Sequence, residues 1–118
     1  MPSAVVVDDY PFMRDLLREF LTRAEFDVKG EAGTAAELME AYPQWRPEIL
    51  ILDILLPDAN GAELTRRVLA ADPNVKILVI SGLDEDAELA EQCIEAGAKA
   101  FLAKPFSSEA LIRALRAL

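Results

Sequence analysis

Four short apolar runs, at residues 4–7, 49–52, 77–80 and 100–103, constrain this chain more than any other feature in it. Each run is continuous rather than alternating. A strand with one wet face alternates apolar and polar side chains, so short continuous runs indicate parallel strands covered on both faces. A fifth run, 27–32, is more polar, contains Gly30 and reads as an edge strand. The longest runs fall far short of the roughly 20 apolar residues that a membrane span needs.

Helical patterns separate the runs. Phe12, Leu16, Phe20 and Ala24 recur at i, i+4 spacing with Leu17 and Leu21 alongside, and Pro11 suits the first turn of that helix. Thr34 followed by Glu37 forms a capping box, opening a second helix that Pro43 is expected to stop. A third helix follows Gly61, carries Leu64 and Val68, and ends before Pro73. A fourth runs from about Asp84 to Ala96 and is closed by Gly97. A fifth takes Ser107 as its N-cap, with Phe106 and Leu111 placed as a hydrophobic staple. Strict alternation of five strands and five helices predicts an α/β fold. It is a doubly wound, five-stranded parallel sheet with helices on both faces, joined by right-handed crossovers. The flavodoxin-like strand order 2-1-3-4-5 is expected.

Composition narrows the chemistry. The 118 residues fit one domain, read here as 1–118 with any effector domain lying beyond 118. The formal net charge is −9, so a phosphate backbone is repelled and direct nucleic-acid binding by this domain is not expected. There is no histidine, which excludes Ser-His-Asp and Cys-His catalysis and histidine zinc sites within the chain. A single cysteine, Cys93, allows no internal disulfide and suits a reduced, cytoplasmic setting. The first residues lack the basic region of a signal peptide, and no membrane association is expected.

In an open parallel sheet, ligands bind beyond the carboxyl ends of the strands. There the first strand delivers Asp8 and Asp9, the third Asp53, the fourth Ser81, and the fifth is followed by Lys104. Taken singly, each has a plainer use. Asp8-Asp9 can be a turn and a cap, Asp53 and Ser81-Gly82 loop chemistry, and Lys104 a solvated lysine. Together they converge on one edge. Three carboxylates in one pocket repel each other, and Mg²⁺, which takes carboxylates alongside phosphoryl groups, relieves the repulsion. A lysine opposite the ion can hold a further phosphoryl oxygen, and a carboxylate can act as the nucleophile.

Four segments in this order resemble the receiver domains of bacterial two-component response regulators. They are Val7-Asp8-Asp9; Asp53-Ile54-Leu55-Leu56-Pro57 with Gly61; Ile80-Ser81-Gly82; and residues 96–106, which include Phe101 and Lys104-Pro105. The resemblance covers essentially the whole chain. It implies that Asp53 is the phosphoacceptor and that Asp8, Asp9, Asp53 and the backbone carbonyl of Leu55 hold Mg²⁺. It implies that Ser81 and Lys104 contact the phosphoryl group, that Ser81 and Phe101 form the conformational switch, and that the bond before Pro105 is cis. The implied partner is a sensor histidine kinase or phosphotransfer protein, and the implied role is to control an output such as transcription. Ser81 stands where threonine is commoner and keeps the hydroxyl. Leu55 is apolar where relatives are often polar.

Other functions fit less well. A haloacid-dehalogenase-type phosphatase needs a second acid two residues after its nucleophile, and that position is Leu55. A flavin binder needs a glycine- or serine-rich loop after the first strand, where this chain has Asp8-Asp9-Tyr10-Pro11. A pseudo-receiver scaffold, the remaining alternative, would have lost part of the acidic pocket. Two further expectations concern behaviour. Leu55 and Leu83, each two residues past a phosphoryl-contacting position, should shield an aspartyl phosphate from water. The fourth helix, fifth strand and fifth helix are an expected homodimer surface. The acids Asp84, Glu85, Asp86, Glu88, Glu91 and Glu95 would face Arg113 and Arg116, and the fifth helix is apolar nearly all round.

Overall fold

The structure, a computed structural model, describes residues 1–82 and 87–118. Leu83, Asp84, Glu85 and Asp86, used in the sequence reading, lie outside the described residues. The elements in chain order are β1 (Ser3–Val7), α1 (Pro11–Arg23), β2 (Asp27–Ala32), α2 (Ala35–Trp45), β3 (Ile49–Asp53), α3 (Gly61–Ala71), β4 (Lys76–Ser81), α4 (Ala87–Ala96), β5 (Ala100–Ala103) and α5 (Ser108–Arg116). The strands form one parallel sheet in the order β2-β1-β3-β4-β5.

The continuous apolar runs are explained by two separate cores. Successive side chains of a strand point to opposite faces. Val5, Val7, Leu50, Leu52 and Val79 pack on one face with Leu38, Leu64, Val68 and Cys93 from α2, α3 and α4. Ala4, Val6, Ile51, Leu78 and Ile80 pack on the other with Leu17, Leu21, Leu111 and Leu115 from α1 and α5. Every residue of β3 is buried, whereas β5 alternates between half-buried and exposed. No helix among the described residues is long and apolar enough to cross a membrane.

Three local expectations are corrected. Pro43 does not stop α2, which continues to Trp45. A proline lacks the N–H that would bond back one turn, but here it stands in the last turn. The helix still closes there, through the bond from Arg46 N to the Tyr42 carbonyl and a left-handed Arg46. Phe12 is not on the buried stripe of α1; it is exposed, with its ring 5.9 Å from that of Tyr10. The apolar residues of α5 do not encircle an open helix. Leu111 and Leu115 are buried, and Ile112, Ala114 and Leu118 pack against the same core. What α5 turns outward is Ser108, Glu109, Arg113 and Arg116.

The caps follow the sequence signals. Thr34 Oγ1 accepts from Glu37 N at 3.1 Å, and Glu37 reaches back to Gly33 N at 3.1 Å. Ser107 Oγ accepts from Ala110 N at 3.1 Å. Gly30 in edge strand β2 has a packing reason. A Cβ built there would lie 2.3 Å from the indole of Trp45, so only glycine lets the ring lie on the strand.

Candidate functional site

The carboxyl edge of the sheet gathers the polar residues that the sequence places at its strand ends. Asp8 and Asp9 follow β1 directly, Asp53 ends β3, Ser81 ends β4, and Lys104 follows β5. Strands β1 and β3 are neighbours, pairing Val7 with Leu52, so the next residues of each strand share the same space. Carboxylate oxygens of Asp8, Asp9 and Asp53 all lie within 4.8 Å of one another. Asp8 is 1% exposed and Asp53 8%, while Asp9 is exposed.

Lys104 closes the pocket on its far side. Its Nζ is 3.5 Å from Asp53 Oδ2 and 3.6 Å from Asp8 Oδ2. The Lys104 backbone N–H donates to the Ser81 carbonyl at 2.7 Å, and the Lys104-Pro105 peptide bond is cis. Asp53 pairs in register with Ile80 and Ser81 with Ala103, so buried Ser81 stands at the same edge, between Asp53 and the strand that leads to Lys104.

Electrostatics set these groups against each other. Burial pushes the Asp53 carboxyl up to about 6. The charges of Asp8 and Asp9 push the same way, while the hydrogen bond from Leu55 N (3.2 Å) and the ammonium of Lys104 oppose them. Asp8 Oδ1 accepts from Tyr10 N at 2.9 Å. Its other oxygen, Oδ2, is buried with no hydrogen-bond partner. The Lys104 ammonium at 3.6 Å is its one cationic neighbour among the described residues, and a buried carboxylate oxygen without a hydrogen bond has room to take a metal ion as well. Asp8, Asp9 and Asp53, an all-oxygen set, can hold a hard divalent cation.

Two contacts around the pocket escape a reading of the sequence. Arg14 Nη1 donates to the Asp8 carbonyl at 2.6 Å, and Arg14 Nε donates to Glu31 at 3.0 Å. Arg18 binds the second oxygen of the same Glu31 at 2.9 Å. These bonds tie the β1–α1 corner to edge strand β2 and hold the Glu31 carboxyl below the usual range. Its burial pulls the other way, but the two guanidiniums prevail. The only sequence signal was two arginines four apart on α1. The second contact is made by Asp58, which reaches α2 from the β3–α3 loop. Leu55, two residues past Asp53, and Phe101, within β5, are 52% and 51% exposed.

An open parallel sheet with an acidic pocket and a lysine at its carboxyl edge defines a class of phosphoryl-handling α/β domains, and comparison with known proteins narrows it. A family model described as the response regulator receiver domain matches residues 4–116. The chain is 39% identical over 111 residues to the chemotaxis protein CheY of Thermotoga maritima, which is 94% of this chain and 92% of that protein. It is similar to the crystal structure of a LuxR-family two-component response regulator from Aurantimonas sp. SI85-9A1, with a TM-score of 0.90 and 29% identity over 99% of this chain and 84% of that one. The BeF3-activated DrrB receiver domain is similar with a TM-score of 0.86 and 26% identity, over 99% of this chain and 96% of that one. The chain belongs to the response regulator receiver family and is a CheY-like phosphoacceptor signalling domain of two-component systems.

Proposed function

We propose that Asp53 is the phosphoacceptor, and that Asp8, Asp9, Asp53 and the Leu55 backbone carbonyl bind Mg²⁺ beside it. The observation that carries this reading is the placement of Lys104. One ammonium stands 3.5 to 3.6 Å from two buried carboxylates, and the Asp8 oxygen it faces receives no hydrogen bond. Asp53 Oδ attacks the phosphorus of a donor phosphohistidine, the P–N bond breaks, and its electron pair leaves with the imidazole. These 118 residues contain no histidine, so the donor imidazole lies outside them, and the donor we propose is a histidine kinase or phosphotransfer protein. Bound Mg²⁺ would neutralise charge on the phosphoryl oxygens. Lys104 would hold a second phosphoryl oxygen and Ser81 Oγ a third. Phe101, half exposed on β5, would turn inward as Ser81 moves toward the phosphoryl group. The scaffold alternative is disfavoured because all three carboxylates and the lysine are present and converge.

The test uses acetyl phosphate as donor. With Mg²⁺, the protein is expected to gain the mass of one phosphoryl group, mapped by peptide analysis to Asp53. With the divalent ion chelated it should gain none. Labelling at another residue, or labelling indifferent to chelation, would overturn the assignment.

The phosphorylated form is expected to be long-lived. Leu55 is exposed and has no group to hold an attacking water in line with the P–O bond. A tenfold change in hydrolysis rate needs only about 1.4 kcal/mol in the barrier. Leu55→Asn, with an amide that can orient water, should therefore lose its phosphoryl group several times faster than the parent. Equal decay in a folded, Mg²⁺-binding variant would show that Leu55 does not control water.

A further inference from the structure

The β3–α3 loop, residues 54–60, begins immediately after Asp53 and carries the Leu55 carbonyl. It is folded on itself. Gly61 N donates to the Ile54 carbonyl at 2.7 Å, Leu56 N to the Ala59 carbonyl at 3.1 Å, and Leu55 bridges Asn60. The loop's start is anchored, since Ile54 is fully buried and its N–H donates to the Ile80 carbonyl at 3.2 Å, and Leu56 and Ala59 pack against the core; the tip around Asp58 is less held. Leu55, Pro57, Asp58 and Asn60 are all exposed, so side-chain burial anchors its outer part weakly.

Asp58, at the tip, makes a long-range connection. Its Oδ1 accepts from Ala35 N at 2.8 Å and its Oδ2 from Ala36 N at 3.0 Å, the first two amides of α2. Both oxygens are engaged, each by an N–H that the helix cannot use internally. The bonds hold the carboxyl below its usual range, with that to Ala35 N the larger cause. Helix α2 has its own cap in Thr34, which takes the amide of Glu37. Thr34 serves one of the first amides of α2 and Asp58 two others, so the Asp58 carboxylate both completes the cap and ties the loop tip to the helix.

We infer that Asp58 is a positioning residue of the acidic pocket: its fork onto Ala35 and Ala36 holds the β3–α3 loop, and with it the Leu55 carbonyl, in place for the metal ion. This rests on the proposed ligand role of Leu55. Partners behind metal ligands set the ligands' orientation, and their loss typically weakens metal binding about 10- to 100-fold. Asp58 touches neither ion nor phosphoryl group, so its removal should act on Mg²⁺ binding and spare the transfer step once Mg²⁺ saturates.

Calorimetric titration with Mg²⁺, and labelling rates with acetyl phosphate across Mg²⁺ concentration, test this on the parent, Asp58→Ala, Asp58→Asn and Thr34→Ala. Asp58→Ala is expected to raise the Mg²⁺ dissociation constant about tenfold, the lower end of that range, with a parent-like rate at saturation. Asp58→Asn keeps one acceptor oxygen and should fall between. Thr34→Ala, which loosens the same helix end without touching the loop, should lower Tm yet leave the Mg²⁺ constant unchanged. An unchanged constant in Asp58→Ala, beside a parent that binds Mg²⁺, overturns this proposal alone. An equal shift in Thr34→Ala overturns it too, since fraying of α2 would then suffice. A parent that binds no Mg²⁺ overturns the metal reading and this inference with it.

Discussion

Asp53→Asn is expected to fold, to accept no phosphoryl group, and to be more stable than the parent when divalent ions are absent. The first outcome follows from chemistry, because an amide oxygen is a poor nucleophile where a carboxylate is a competent one. The second follows from the pocket. Burial, with the charges of Asp8 and Asp9, raises the Asp53 carboxyl to about 6 from an ordinary 3.8. Between those values the folded protein holds a proton that the unfolded chain has released. Stability therefore falls as pH rises through about 4 to 6, and above that window the whole penalty applies, on the order of 3 kcal/mol. Asparagine has nearly the same shape and no charge, so the variant escapes it. Denaturant unfolding in chelator should show the variant ahead at pH 7.5, with the gap shrinking toward pH 4. Added Mg²⁺ should narrow the gap at pH 7.5 by binding the folded parent. Equal stability at pH 7.5 without metal would refute the electrostatic account. Labelling of the variant would refute the acceptor assignment.

Lys104→Met should separate transfer from metal binding. Methionine keeps the length of the side chain and removes its charge. The ammonium lies within 3.6 Å of one oxygen on each of Asp8 and Asp53. It is placed to meet charge that develops on the phosphoryl group, and loss of one such preorganised contact typically costs about 10²–10³ in rate. A fall of about 10² in the labelling rate at saturating Mg²⁺ is expected. Mg²⁺ affinity should move the other way. The lysine competes with the ion for the same carboxylates, so its removal should tighten binding. Weaker Mg²⁺ binding together with an unaltered maximal rate would assign Lys104 to the metal site and not to the phosphoryl group.

The sequence carried the sheet well because both of its faces are covered. Val5 and Val7 enter one core while Ala4 and Val6 enter the other, so the run is apolar throughout and its boundaries are plain. The pocket was legible for a related reason. Strand ends are fixed points of such a fold, and Asp8, Asp9, Asp53, Ser81 and Lys104 each sit at one. Contacts made by side chains between distant segments were not legible. Asp58 stands among Pro57, Ala59, Asn60 and Gly61, where it looks like turn chemistry, and only the folded chain brings α2 to it. Arg14 carries no sequence signal that points to Glu31, which only the fold of β2 places opposite it. The misread side chains have local causes. Phe12 obeys helical spacing but falls in the first turn of α1, where its ring lies exposed near that of Tyr10. The apolar surplus on α5 is absorbed by the core at Ile112, Ala114 and Leu118.

The contrast between β3 and β5 bears on how a signal can leave the pocket. Asp53 is mounted on a central strand, hydrogen-bonded on both sides and buried along its whole length. Phe101 rides on the edge strand β5, paired on one side only and partly open to water, and Lys104 follows directly after it. Local opening costs most in central, buried elements and least at exposed edges. Amide hydrogen exchange should thus be slowest along β3 and quicker along β5. The sheet is graded like a spring board, clamped at β3 and compliant at β5. If Asp53 takes the phosphoryl group as proposed, the new charge lands on the stiffest strand, and the edge at β5 is where repacking is expected.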